Sequence, residues 1–264
     1  MRLKGKTAII VGAGQTPGTT IGNGRAMAIL FAREGAEVLC VDRDGARAAE
    51  TAEMIEKEGG RATSLEADTT KPGAADAIIA AAKSRMGRID ILVNNVGIGG
   101  RDGPAHRLEE DAFDRIMTVN LKSTWLVSKA AIVVMREQGK GAIVNISSLA
   151  SIAGGNQIAY EISKAGVNRL TTGIAQANAR HGIRCNAILP GLMDTPMAVA
   201  GIAAATGQDQ EAVRQMRNQR VPLGGKMGSG WDTAYTALFL ASDEAQFITG
   251  VLLPVDGGMS VRIG

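Results

Sequence analysis

The chain has 264 residues, 45% hydrophobic and 21% charged, an ordinary globular composition with room for one sizeable core. Lysine and arginine exceed acidic residues by only 29 to 26, and aromatic residues make up 3%, so neither a basic footprint nor a base-stacking surface for nucleic acid is present. The longest apolar runs are strand-length, which argues against a membrane span.

Basic residues open the chain, but the apolar run that follows stops at Gly12, which reads as a first strand rather than a signal peptide. A cytoplasmic protein is therefore expected. Strands are predicted over residues 7–11, 38–41, 62–65, 91–94, 142–147, 183–188 and 251–255. Helices are predicted between them, over 24–34, 45–58, 73–86, 109–137, 157–179 and 231–241. Several of the strands are almost wholly apolar, as a parallel sheet covered on both faces requires. The expectation is a doubly wound, Rossmann-like α/β fold: a seven-stranded parallel sheet in one domain, residues 1–264. The rhythm breaks between Ile188 and Trp231, where no strand is predicted and residues 192–220 are expected to form a substrate lid.

Cys40 and Cys185 lie in β-branched, apolar contexts and read as buried, reduced thiols. His106 and His181 are isolated, so no metal site is expected.

The first strand runs into Gly12-Ala13-Gly14, and Gly22-Asn23-Gly24 opens the next helix. Glycines there let the backbone approach a pyrophosphate, and the helix start offers free N–H groups and a positive dipole end. Asp42 ends the second strand, 18 residues after Gly24. A carboxylate at that place can accept ribose hydroxyls and would repel a 2′-phosphate, so NAD(H) is the expected cofactor. Arg43, directly after it, could soften the exclusion of NADP(H).

An ordered series of further residues follows: Asp68, Asn94-Asn95-Val96-Gly97, Asn120, Ser147-Ser148, Tyr160-Glu161-Ile162-Ser163-Lys164, Pro190-Gly191 with Thr195, and Val255-Asp256-Gly257-Gly258. In this order and spacing the chain resembles the short-chain dehydrogenase/reductase family over essentially its whole length. The resemblance implies that Gly12, Gly22 and Asn23 hold the phosphates, and that Asp68 and Thr69 lie against the adenine. Asn95, Val96 and Gly97 would line the adenine-ribose side, and Pro190, Gly191, Met193 and Thr195 would hold the nicotinamide carboxamide. It also implies Asn120, Ser148, Tyr160 and Lys164 as catalytic residues, and a homotetramer.

Three departures stand out. Nine residues separate Gly12 from Gly22 where the family usually has three, which places a six-residue insertion at 15–20, folded over the phosphates or projecting outward. Val96 replaces the usual alanine. The loop before Tyr160 is one residue short, so the catalytic serine is Ser148 counted from the strand and Ser147 counted back from the tyrosine. Strand register is the firmer guide, and Ser148 is preferred.

Tyr160 and Lys164 are four residues apart and share a helix face. An ammonium beside a phenol favours phenolate, so Lys164 is expected to bring Tyr160 into the range of a general base. The reaction expected is hydride transfer between nicotinamide and a secondary alcohol or ketone, with Lys164 also on the nicotinamide ribose and Asn120 linking Lys164 to solvent through water. Met193, Met197, Val199, Ile202 and Met216 offer the lid an apolar face for a small-molecule substrate, or pack it onto the body. Arg214, Arg217 and Arg220 read as a solvated helix face, with an anionic substrate as the other use. A nucleotide-binding sensor or scaffold of the same fold, without turnover, is the alternative.

Overall fold

The computed structural model describes residues 1–262. In chain order these form β1 (Thr7–Val11), α1 (Asn23–Arg33), β2 (Glu37–Asp42), α2 (Gly45–Lys57), β3 (Arg61–Glu66), α3 (Ala74–Met86), β4 (Ile91–Asn94) and α4 (Glu110–Met117). Next come α5 (Ser123–Gln138), β5 (Gly141–Ile146), α6 (Ile158–Asn178), β6 (Ile183–Pro190), β7 (Met193–Asp194) and α7 (Pro196–Thr206). The rest are α8 (Gln210–Asn218), β8 (Gly228–Ser229), α9 (Gly230–Ala241) and β9 (Leu252–Val255).

The main sheet has seven parallel strands in the order β3-β2-β1-β4-β5-β6-β9. Helices cover both faces, and the side-chain alternation of the strands sorts the core into two layers. Ala8, Ile10, Val38, Cys40, Ile91 and Val93 pack with α1 and α9. Ile9, Val11, Leu39, Val41 and Leu92 face α3, α5 and α6 on the other side. Each fully buried Ile or Leu contributes about 1.5–3 kcal/mol relative to exposure. Both cysteines are buried and free, and burial pushes each thiol up to about 12, so neither is a nucleophile at neutral pH. No helix among the described residues is long and apolar enough to cross a membrane.

Strand order reverses between β1 and β4, which opens a crevice at the carboxyl ends of these strands. Asn94 and Asn145 stand opposite one another in β4 and β5. The amide of Asn94 donates to Asn145 (2.8 Å) and to Ser128 on α5 (3.0 Å), while Asn145 donates to Thr171 on α6 (2.9 Å). A buried and well-bonded network of this kind fixes the two helices on the sheet in one register.

The structure differs from the sequence expectation in two elements. The stretch between Ile188 and Trp231 does hold strands, the two-residue pair β7 and β8, in a small sheet of its own. Two residues are too few to show a period-two pattern. The helix expected over 109–137 is interrupted by a π-helical turn, Thr118–Lys122, with Asn120 at its centre. Hydrophobic spacing continues through the turn and conceals it; such turns recur at functional sites.

Candidate active site

The β1–α1 connection wraps the end of the crevice. Gly12 has φ +85°, in the left-handed region open to glycine. A Cβ on Gly24 would lie 1.9 Å from the Gly12 carbonyl oxygen and 2.6 Å from Asn95 Nδ2. A Cβ on Gly14 would lie 2.8 Å from the Asp42 carboxylate. Gly22, the residue before α1, provides no side-chain cap, so the first N–H groups of the helix remain available to an anion. Asn23 Oδ1 is buried without a hydrogen-bond partner among the described residues. A cradle that excludes side chains, an uncapped helix start and an unused acceptor fit a dinucleotide.

Asp42 receives the Gly14 N–H (2.9 Å) and the Asp44 N–H (3.1 Å). Asp42 lines a cleft together with Arg43, Asp68, Thr69, Val96 and Gly97. Asp68 is held below the usual carboxylate range by the Thr70 hydroxyl and N–H. Asn95 lines the cleft but donates its amide to Gly12 (2.9 Å), clasping the turn from the β4 side. Thr195 lines it too, as the cap of α7, together with Pro196 and the exposed Met197. Pro190, Gly191 and Met193, expected at the carboxamide, are not among the lining residues. Gly191 abuts Asp256, and Met193 is buried within the small sheet, its side chain against Gly228.

Gly97 joins the cleft to the second group of residues. A Cβ there would lie 3.0 Å from Lys164 Nζ and 3.9 Å from Asn120 Oδ1. Lys164 Nζ donates to the Ile146 carbonyl (2.9 Å) and sits 5.8 Å from the centre of the Tyr160 ring. Asn120 is wholly buried; it accepts from Ile98 N–H (2.8 Å) and donates to Ile98 C=O and Ser163 Oγ (both 3.0 Å). Both of its amide hydrogens are therefore engaged, and a link from Lys164 to solvent has only Oδ1 or the main chain of Asn120 to use.

The two serines separate clearly. Ser147 is buried and donates to the Lys164 carbonyl (3.1 Å), whereas Ser148 precedes a short 3₁₀ turn and neighbours the Tyr160 phenol. Burial raises Tyr160 above its ordinary 10, and the Ser148 hydroxyl opposes the rise. Lys164 is not among the causes of the Tyr160 shift, so the expected lowering by its ammonium is not seen, and desolvation also pulls Lys164 down to about 8.

That shift has a stability consequence. Unfolded, the lysine titrates near 10.5; folded, near 8. Between these values the unfolded chain binds the extra proton, so this group makes stability rise with pH across the window; below it the cost of burying the charge is present in full. Replacing Lys164 with Met should remove the rise, read as the difference between wild-type and variant urea unfolding below and above pH 8. A pH-independent difference would contradict the assignment.

The insertion at 15–20 reaches toward the lid. Gln15 staples its base, accepting from Gly22 N–H (2.7 Å) and donating to Thr20 C=O (3.1 Å). Gly18 abuts Pro196, and Thr19 accepts from Arg214 (3.1 Å), which also pairs with Asp194 (3.2 Å). Arg214 is thus a tie between the two loops rather than part of a solvated helix face, because Asp194 neutralises it where it is mostly buried. Val199 is buried in a small lid core with Ala203, Val213 and Met227, while Met197 and Met216 stay exposed.

Residues 18–260 match the profile of a family described as enoyl-(acyl carrier protein) reductase. A 3-oxoacyl-[acyl-carrier-protein] reductase of Thermotoga maritima is 35% identical over 262 residues, covering 99% of this chain and 100% of that protein. A solved structure from Burkholderia xenovorans, described as a short-chain dehydrogenase/reductase, is 43% identical with a TM-score of 0.94, covering 100% of this chain and 99% of that one. The chain belongs to the short-chain dehydrogenase/reductase family. Levodione reductase, 31% identical, superposes with a TM-score of 0.93 over 99% of this chain and 100% of its own. As a short-chain dehydrogenase/reductase, the protein is an oxidoreductase of that class, with a nicotinamide dinucleotide as cofactor.

Local spacing showed nothing of Asp102, which binds the start of α6, nor of Arg115, which lines the cleft and donates to Gly100 C=O (3.1 Å). Both act across loops, where no periodic signal exists.

Proposed function

We propose that the protein is an NAD(H)-dependent oxidoreductase acting on a secondary alcohol or the matching ketone. The observation that carries this reading is that Gly97, which lines the dinucleotide-shaped cleft, abuts Lys164 and Asn120, while the Tyr160 ring lies 5.8 Å from Lys164 Nζ and its phenol meets Ser148. Two of the similar proteins bear names of ketone-type reductases, which supports a carbonyl substrate.

The bound dinucleotide would supply or accept the hydride. Tyr160 Oη takes the hydroxyl proton during oxidation and returns it during reduction. Ser148 donates a hydrogen bond to the substrate oxygen and keeps it against the phenol. Lys164, largely cationic at neutral pH, favours the phenolate once the cleft is filled and its field acts in a drier site. Asn120 fixes the β4 loop against α6, so that the phenol and ammonium keep their spacing.

The cofactor preference rests on Asp42, whose carboxylate would repel a 2′-phosphate. NADH should bind at least ~10-fold tighter than NADPH, and Asp42→Ala should narrow the gap; both are read by fluorescence titration. Tighter binding of NADPH would show that Arg43 governs the pocket. Closure of residues 192–220 over a small-molecule substrate, a homotetramer and a cytoplasmic location belong to the same proposal. A monomer by sedimentation at micromolar concentration would remove the tetramer.

A further inference from the structure

The start of α6 is capped from a distance. Its preceding residue, Gln157, makes no side-chain cap, although Tyr160 lies in the first turn. The first three N–H groups of the helix are all received by one dipeptide of the β4–α4 loop. Ile158 N–H donates to Gly103 C=O (3.3 Å), Ala159 N–H to Asp102 Oδ1 (3.2 Å), and Tyr160 N–H to Asp102 Oδ2 (2.8 Å). Asp102 and Tyr160 are 58 residues apart in sequence.

The loop is braced to deliver that carboxylate. Arg101 holds a left-handed φ of +57°, which costs a side-chain-bearing residue energy, and it pairs with Asp111 on α4 (2.8 Å). Arg115, also on α4, donates to Gly100 C=O (3.1 Å). Asp102 Oδ1 additionally receives the Gly103 N–H (2.8 Å), so both carboxylate oxygens are in use. Upstream, the same loop carries Ile98, which Asn120 grips, and Gly97, against which Lys164 rests.

We propose that Asp102 is the positioning residue of the tyrosine: its carboxylate ties the main chain of Tyr160 to the loop that seats Lys164 and Asn120, and so sets the phenol against Ser148. This rests on the reading of Tyr160 as the proton-transfer group. A ring displaced by even about 1 Å can lose about 100-fold in rate, so the tie acts on turnover rather than on cofactor affinity.

The protein has two tyrosines, Tyr160 and the exposed Tyr235, so Tyr235→Phe leaves Tyr160 as the only phenol. In that background, ultraviolet titration of phenolate reports on Tyr160 without turnover. Asp102→Ala should raise the Tyr160 pKa, because the Ser148 hydrogen bond that lowers it is loosened. It should also lower kcat about 10-fold or more, with NADH affinity unchanged. Asp102→Asn, which keeps one acceptor, should recover most of both effects.

A fall in the phenol pKa on removing the carboxylate would overturn the proposal, since it would mean that the charge, not the position, acts on the ring. So would an unchanged pKa and kcat in Asp102→Ala, or parallel loss of folding, NADH binding and turnover in both variants. A wild-type enzyme without turnover would count against the proton-transfer reading alone, and the titration would still decide the role of Asp102.

Discussion

Tyr160→Phe should lose about 10²–10⁴-fold in turnover while binding NADH as the wild-type protein does. The substitution removes one oxygen and keeps the ring, so the packing of α6 against the 3₁₀ turn and the β4 loop is preserved. What disappears is the group that holds and returns the proton, and nothing nearby can replace it. Ser148 is an alcohol far too weak as an acid or base at neutral pH, and Lys164 directs its ammonium to the Ile146 carbonyl. Steady-state rates and a fluorescence titration of NADH measure the two halves of the expectation. Retained turnover would remove Tyr160 from the chemistry; lost NADH binding would mean that the ring is needed for the shape of the cleft.

Gly24→Ala should raise the NADH dissociation constant by about 100-fold or more, equivalent to about 2.8 kcal/mol, and lower stability by about 2–4 kcal/mol. The added methyl would stand 1.9 Å from the main-chain oxygen of Gly12, with Asn95 Nδ2 at 2.6 Å behind it. Relief requires the β1–α1 turn to open, because the nearest atom, the Gly12 carbonyl oxygen, is main chain and cannot swing away. Opening the turn also breaks the Asn95 clasp on Gly12 and misaims the uncapped start of α1. Gly173→Ala on α6, outside the cleft, is the matched control, since its methyl would meet nothing within 4 Å. Equal affinities in the two variants would show that close approach at Gly24 does not shape the phosphate site.

The architecture was legible because its signals are local and repeated. Apolar runs of strand length, glycines at the first turn and an acid at the end of β2 each carry their physical reason within a few residues. The proximity of Tyr160 and Lys164 was legible for the same reason, the two being one helical turn apart. The choice of Ser148 over Ser147 rested on strand register, and the structure shows why the two differ. Ser147 continues the ladder, its N–H on Ile188 C=O (2.8 Å) and its hydroxyl turned into the helix, whereas Ser148 leaves the sheet beside the phenol.

What stayed hidden depends on contacts between distant segments. The π-turn at Asn120 interrupts a helix without interrupting its hydrophobic spacing. Asp102 caps a helix 57 residues downstream of itself, where capping patterns look only at the residues next to the helix. Arg214 looked solvated because its ionic partner, Asp194, lies 20 residues away across the lid. The rise of the Tyr160 phenol also stayed hidden: a lysine four residues away is visible in the sequence, but the burial that raises the phenol is not.

The most direct test is a nicotinamide-absorbance assay of the wild-type protein. NAD+ would be offered with secondary alcohols, polyols and hydroxysteroids, and NADH with the matching ketones, 3-oxoacyl thioesters and a conjugated enoyl thioester. The expected result is NAD(H)-linked turnover of an alcohol–ketone pair, lost in Tyr160→Phe. Oxidation of NADH by the enoyl thioester alone, or tight NADH binding with no oxidation by any acceptor, would contradict a carbonyl-directed enzyme.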